Sequence, residues 1–231
     1  MELFADRAAA GRVLAPLVAD QLAKDETPVV LGLPRGGVPV AAEVARMLGL
    51  PLDILLVRKL GVPGHEELAF GALASGGVRV LNPDVVHLAA LTPEDIDAVA
   101  AREAAELDRR GRRYRGARPP LEVTGRTAIV VDDGLATGAT MRAAVRALRD
   151  LGAARTIATA PVGSATACAL LEGEADAVVC ARSPARFRAV GAWYADFGEV
   201  DDDAVAALLD HPPSGRRPGS SAAAAAPTRE T

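Results

Sequence analysis

The residues most able to act together lie in one stretch, Val130-Val131-Asp132-Asp133-Gly134-Leu135-Ala136-Thr137-Gly138-Ala139-Thr140. An apolar run, Ala128 to Val131, meets two adjacent acids, then small residues, then a Thr-Gly-Ala-Thr turn at the opening of an amphipathic segment. This order reads as buried strand, loop and helix, and the carboxyl end of such a strand is where open α/β sheets take ligands. A helix N-terminus offers unpaired N–H groups and the positive end of its dipole. Thr137 to Thr140 can therefore wrap a phosphate with main-chain donors and two hydroxyls, while Gly138 and Ala139 let the backbone come close. The acids have a different use. Their charge repels phosphate, whereas carboxylates accept hydrogen bonds from vicinal hydroxyls, so the constellation describes a phosphorylated sugar with a free diol. An Asp-Asp cap before an amphipathic helix is the plainer alternative.

Two other stretches set charge beside small residues. Leu33-Pro34-Arg35-Gly36-Gly37 follows an apolar run and opens a helix, where a Gly-Gly turn is also common turn chemistry. Arg58-Lys59 ends a second apolar run, and Lys59 is one of two lysines in the chain, the other being Lys24. Neither a GxxxxGK[ST] loop nor a GxGxxG fingerprint occurs, which disfavours ordinary nucleoside triphosphate and dinucleotide binding.

The strand, acid pair and Thr-Gly-x-Thr turn closely resemble the signature of type I phosphoribosyltransferases. In wider outline, over residues 4–210, the chain is similar to the stand-alone predicted bacterial phosphoribosyltransferases, through Arg58-Lys59-Leu60-Gly61 and a long helix ahead of the signature. The resemblance implies transfer of the 5-phosphoribosyl group of 5-phosphoribosyl-1-pyrophosphate to a nitrogenous base, purine-like by preference, with release of pyrophosphate, in nucleotide metabolism. It implies that Asp132 and Asp133 orient the ribose and that Thr137, Gly138, Ala139 and Thr140 hold the 5-phosphate, with Ala136 a further substrate-binding position of the loop. Arg35, Gly36, Gly37, Arg58 and Lys59 would hold the pyrophosphate, with Asp132, Asp133, Lys59 and Arg35 as the catalytic set. Mg²⁺ is the implied cofactor, held mainly by ligand oxygens and water, with Asp132 or Asp133 reaching it through water. Residues 58–77 correspond to a flexible lid or hairpin that keeps water from an oxocarbenium-like transition state. Within it His65, Glu66 and Glu67 read first as solvated loop residues and second as proton carriers.

Residues 184–200 resemble a hood over the base and hold Phe187, Trp193, Tyr194 and Phe197, four of the seven aromatics. Phe187 and Trp193 stack on the base or pack against the sheet. The step from Gly191 to Asp196 is one residue longer than in the hypoxanthine-guanine branch. Ala136 stands where that branch carries an acid and resembles the adenine branch instead. The resemblance also leaves a homodimer open.

The elements that must position these residues follow from periodicity. Pro28–Leu33, Leu52–Val57, Thr127–Val131, Thr156–Val162 and Ala175–Cys180 are short apolar runs of the kind found in parallel strands buried on both faces. Phe4–Leu22, Val38–Leu48, Thr140–Leu151 and Ala165–Leu171 read as helices between them. In the third, Met141, Ala144, Val145, Leu148 and Leu151 make one apolar stripe opposite Arg142, Arg146 and Arg149. The alternation predicts an α/β fold, a doubly wound, mainly parallel sheet, in one domain over residues 1–210. An extra helix is expected over 92–114, with Thr92 as N-cap, Pro93 at N1 and Asp95 at N3. The Pro-, Gly-, Ser- and Ala-rich residues 211–231 read as a disordered tail.

Bulk properties narrow the remaining classes. Hydrophobic residues make up 50% of the chain and charged ones 24%, an ordinary globular balance, and a net charge of −4 argues against binding nucleic acid through overall charge. Cys168 and Cys180 lack metal-site spacing and read as buried free thiols, and with no signal-peptide or membrane-length apolar run the expected setting is the cytoplasm. One stretch supports a second function. Arg109-Arg110-Gly111-Arg112-Arg113-Tyr114-Arg115-Gly116-Ala117-Arg118 puts six arginines in ten residues. That fits a non-catalytic regulator that senses the diphosphate sugar or a nucleotide and binds RNA or protein. The simpler reading is a helix C-terminus with solvated cations.

Overall fold

A computed structural model describes residues 2–24 and 26–210; the tail expected over 211–231 lies outside the described residues. The strands are β1 (Val29–Gly32), β2 (Leu52–Ile54), β3 (Val57–Val62), β4 (His65–Ala74), β5 (Arg79–Leu81), β6 (Thr127–Val131), β7 (Arg155–Val162) and β8 (Ala177–Arg182). The helices are α1 (Arg7–Ala19), α2 (Gly37–Leu48), α3 (Pro83–Leu88), α4 (Pro93–Arg115), α5 (Ala139–Asp150), α6 (Ala165–Glu172) and α7 (Asp202–Asp210), with a 3₁₀ turn at Val190–Trp193.

Five strands form a parallel sheet in the order β2-β1-β6-β7-β8. The near-continuous apolar runs arise because both faces are covered. Val30, Ile129, Val131 and Ile157 point to α1 and α2, where Leu14, Val18, Val40 and Val44 meet them. Val29, Leu31, Val130 and Ala158, one residue out of step, point to Met141, Val145 and Leu148 of α5 and Leu171 of α6. Strand periodicity thus sorts a uniformly apolar sequence into two cores.

The segment read as a single strand over Leu52–Val57 divides. β2 ends at Ile54, and Val57 begins a second, antiparallel sheet of order β3-β4-β5. The hairpin anticipated within residues 58–77 is present, with its return strand running from His65. Leu60, Val62, Phe70 and Leu73 from this sheet pack on Val99, Leu107 and Tyr114 of α4 and on Val205 and Leu209 of α7. The start of α4 has the anticipated capping box, Thr92 and Asp95 each bonding the other's backbone N–H. Neither α3 nor α7 was anticipated from the sequence, because each is short and its apolar positions make sense only against the second sheet and α4.

A candidate sugar-phosphate site

The two glycine-bearing loops leave neighbouring strands. Gly32 lies opposite Val131 in the β1–β6 register, and the Leu33 amide donates to the Val131 carbonyl at 2.8 Å. From there Leu33–Gly36 leads into α2 and Asp132–Gly138 leads into α5. The Pro34–Arg35 peptide between them is cis. A Cβ on Gly36 would sit 2.0 Å from Asp133 Oδ2, and one on Gly37 would sit 2.5 Å from the Val131 carbonyl oxygen. Both are impossible contacts, so the Gly36-Gly37 pair, ambiguous in sequence, is required by the acids of the adjacent loop.

The loop after β6 is held by β7. The Leu135 amide donates to the Val162 carbonyl at 2.9 Å, the Ser164 amide returns to the Leu135 carbonyl at 2.8 Å, and Ser164 Oγ donates to the Ala136 carbonyl at 2.8 Å. Gly138 takes a left-handed φ of 72° and turns the chain into α5 without a capping side chain of its own, and among the first amides Ala139 meets Thr137 Oγ1 in a long contact of 3.4 Å. Thr137 and Thr140 are exposed there, and Asp132 together with Gly134–Met141 lines a small open concavity. Unfilled helix-start donors in a hollow flanked by two hydroxyls can accept a phosphate.

The acids differ from each other. Asp132 Oδ1 accepts the Asp133 amide at 2.9 Å, and burial, then the neighbouring Asp133 charge, push its carboxyl up to about 7. Asp133 is also raised by burial, but Arg7 opposes the shift, since Arg7 Nε donates to Asp133 Oδ2 at 2.9 Å. Arg7 Nη1 donates onward to the Gly198 carbonyl at 2.8 Å, and the guanidinium lies 3.9 Å from the Phe197 ring centroid. Tyr194 Oη donates to the Asp133 carbonyl at 2.6 Å, and burial pushes its phenol well above the usual range. A Cβ on Gly134 would meet Val190 at 2.4 Å, so the 3₁₀ turn lies directly against the loop. Arg7 and Tyr194 escaped the sequence reading. They stand 126 and 61 residues from Asp133, and no local pattern marks that separation.

Other anticipated residues fall in several places. Arg35 reaches Glu199 at 2.5 Å, with both side chains exposed, a pair weak enough to yield to a ligand. Lys59 lines a cleft shared with Ala139 and Thr140, at the phosphate turn. Arg58, expected beside the pyrophosphate, instead pairs with Glu103 of α4 at 2.7 Å, because adjacent strand residues face opposite ways. Of the two roles open to Trp193 and Phe187, base stacking and packing, the structure shows packing: Trp193 is buried with Phe4, Ala10, Val162 and Tyr194, and Phe187 packs half-buried against the same group. The hood needs its own small core, and the indole fills it. His65, Glu66 and Glu67 are exposed at the lid tip.

Among the described residues no three or more His, Cys, Asp or Glu side chains gather as a cation site. The carboxylate oxygens of Asp132 and Asp133 are the donors at the loop, which suits an ion whose other ligands come from phosphates and water. Of the arginine run, Arg109 and Arg110 hold Glu106, Arg113 holds Asp203, Arg115 holds Asp53 and Arg118 holds Asp210. The cysteines are free thiols in contact with each other, Cys168 buried and Cys180 half-buried. No helix among the described residues is long and apolar enough to cross a membrane.

The chain is similar to known proteins. The family model for the phosphoribosyl transferase domain matches residues 5–184. A provisionally named phosphoribosyl transferase of Mycobacterium tuberculosis is 51% identical over 210 residues, covering 91% of this chain and 47% of that protein. The chain therefore spans about half the length of this curated relative. TT1426 from Thermus thermophilus, a crystal structure, is 45% identical with a TM-score of 0.82, covering 93% of this chain and 100% of that one. The bifunctional protein PyrR of Chloroflexus aurantiacus is 32% identical over 120 residues, 51% of this chain and 60% of PyrR.

Proposed function

Since the chain belongs to the phosphoribosyl transferase family, we propose that it transfers the 5-phosphoribosyl group of 5-phosphoribosyl-1-pyrophosphate to a nitrogenous base, purine-like by preference, and releases pyrophosphate. The observation that carries this reading is the contact of the two loops: the acid pair touches Gly36 and Gly37, while the glycine-capped start of α5 opens a few residues further on. Asp132 and Asp133 accept the ribose hydroxyls, and Thr137 to Thr140 take the 5-phosphate. The backbone at Gly36 and Gly37, with Arg35, takes the pyrophosphate. Lys59 adds positive charge from the lid strand, beside the phosphate turn.

In the reaction a ring nitrogen of the base forms a bond to the sugar C1 as the bond from C1 to the pyrophosphate oxygen breaks, and the proton of that nitrogen leaves to solvent or to the departing pyrophosphate. Positive charge builds on the ring and negative charge on the departing group. Fixed donors and charges that already face those positions lower the barrier without reorganising. Bound Mg²⁺ would add charge neutralisation at the pyrophosphate. The β3–β4 hairpin, acting as a lid, would exclude water, which competes with the base for the same carbon.

The regulatory alternative rests on the arginine run, and most of those side chains are engaged by acids of the chain itself, so catalysis is the stronger reading. The deciding experiment supplies protein, Mg²⁺ and 5-phosphoribosyl-1-pyrophosphate with purines, pyrimidines and related heterocycles in turn, and measures pyrophosphate release. Release that depends on one class of base is the expected result. Tight binding of the diphosphate sugar with no base-dependent release would transfer the site to a sensor.

A further inference from the structure

Asp133 offers two oxygens, and the fold uses one. Oδ2 lies between Arg7 Nε, at 2.9 Å, and the space that a Cβ on Gly36 would fill. Asp132 is in a similar state, its Oδ1 occupied by the Asp133 amide. Asp133 Oδ1 and Asp132 Oδ2 accept no hydrogen bond among the described residues. Two free carboxylate oxygens, on successive residues, are acceptors for two vicinal hydroxyls.

Arg7 opens α1, but its side chain does not serve that helix end. Asp6 caps α1 by accepting the Ala9 amide, which leaves the Arg7 side chain free to cross to the loop. Its planar guanidinium presents donors in different directions, and three partners use it: Asp133, the Gly198 carbonyl and the face of Phe197. Tyr194 adds a second tie from the same C-terminal segment to the Asp133 carbonyl. Phe197 in turn lies 5.0 Å from the Tyr194 ring. The first turn of α1, the acid pair and the hood are thereby joined at one side chain that is mostly shielded from water, as is Asp133.

We infer that Arg7 is a positioning residue of the sugar site: it holds Asp133 by one oxygen, so that each acid keeps one oxygen for a ring hydroxyl, and it fastens the hood to the same carboxylate. The inference rests on the sugar-phosphate reading above and adds to it the residue that orients the diol acceptors. An arginine that merely stabilised the fold would affect every ligand of the site alike. A positioning arginine affects only ligands with hydroxyls for Asp133 to read.

The test uses the full chain and two probes, inorganic phosphate and ribose 5-phosphate, with affinities measured by titration calorimetry for wild type, Arg7→Gln and Arg7→Lys. Wild type is expected to bind ribose 5-phosphate more tightly than phosphate. Arg7→Gln should weaken ribose 5-phosphate about tenfold to a hundredfold, on the scale of a misdirected charged acceptor, and leave phosphate within about twofold. Arg7→Lys, which keeps the charge but not the fork, should recover part of the loss. In an Asp133→Asn background, the Arg7 substitution should cost little more. If Arg7→Gln does not fold, Arg7→Lys carries the same comparison. Equal losses for both probes, or none for either, overturn the inference. A wild type that does not prefer ribose 5-phosphate over phosphate overturns the diol reading itself, a separate and recognisable failure.

Discussion

The loop after β6 and the arginine-rich end of α4 are both dense in charge, yet they treat it in opposite ways. At the end of α4 most of the charges are matched within the chain: Arg109 and Arg110 share Glu106, Arg113 meets Asp203, and Arg115 is sunk against Asp53 with both side chains under a tenth exposed. In the loop, two successive residues carry carboxylates with an oxygen of each unclaimed, and the N-cap of the helix beyond is a glycine with no side chain to offer its amides. The contrast separates charge that holds the fold from charge kept available for something else. A count of like charges in sequence would have ranked the arginine run first.

The largest effect that tests this contrast is at Arg115, which bonds both Asp53 and the Ile54 carbonyl. Arg115→Ala should lower unfolding free energy by about 3 kcal/mol, since it leaves the buried Asp53 carboxylate with the Ile54 and Leu121 amides but no charged partner. Urea titration measures this, and the folded fraction should bind ribose 5-phosphate as wild type does.

The loop should respond in the opposite way. Asp132→Asn together with Asp133→Asn is expected to leave the protein folded while weakening 5-phosphoribosyl-1-pyrophosphate by roughly a hundredfold or more, for two charged acceptors lost. Unchanged affinity in calorimetry would remove the acids from the site.

A third effect is smaller and concerns the cost of keeping Asp132 unpaired. Its carboxyl is raised from the ordinary 3.8 to about 7, so the folded state holds a proton that the unfolded state has released. Stability from this group is present below about pH 4 and is lost as pH climbs towards 7. Asp132→Asn should therefore be more stable than wild type at pH 8, on the order of 1–2 kcal/mol allowing for partial solvent access, with the difference shrinking at pH 5. Melting temperatures at the two pH values check the sign, and a variant less stable at pH 8 contradicts it.

The smallest effect is expected at the exposed arginines. Arg109→Ala with Arg113→Ala breaks pairs whose arginines are more than half exposed, so the stability change should stay within about 1 kcal/mol. RNA retention on a filter, at low and high salt, should be the same as for wild type. A salt-dependent loss of retention would return the run to function.

Much of this protein could be read without its tertiary structure, because the relevant physics acts over a few residues. Apolar runs bounded by glycine, proline or charge marked every strand of the parallel sheet. The stripe through Met141 and Leu148 marked α5, and Thr92-Pro93 with Asp95 marked the start of α4. The acid pair and the small-residue turn were legible for the same reason: a strand end, a close backbone approach and a helix start are set by neighbours in the chain.

Assignments between distant residues were not legible. Gly36 and Gly37 are indispensable only because Asp133 and Val131 stand against them, nearly a hundred residues on. Arg58 and Lys59 look equivalent until the pleat sends one to Glu103 and the other to the cleft beside Thr140. Trp193 resembled a base platform until the hood's own packing claimed it, and Arg7 carried no local mark. Such roles depend on which surfaces meet when helices cover the sheet. Burial then turns a charge or a missing Cβ into a requirement, and sequence spacing does not encode that encounter.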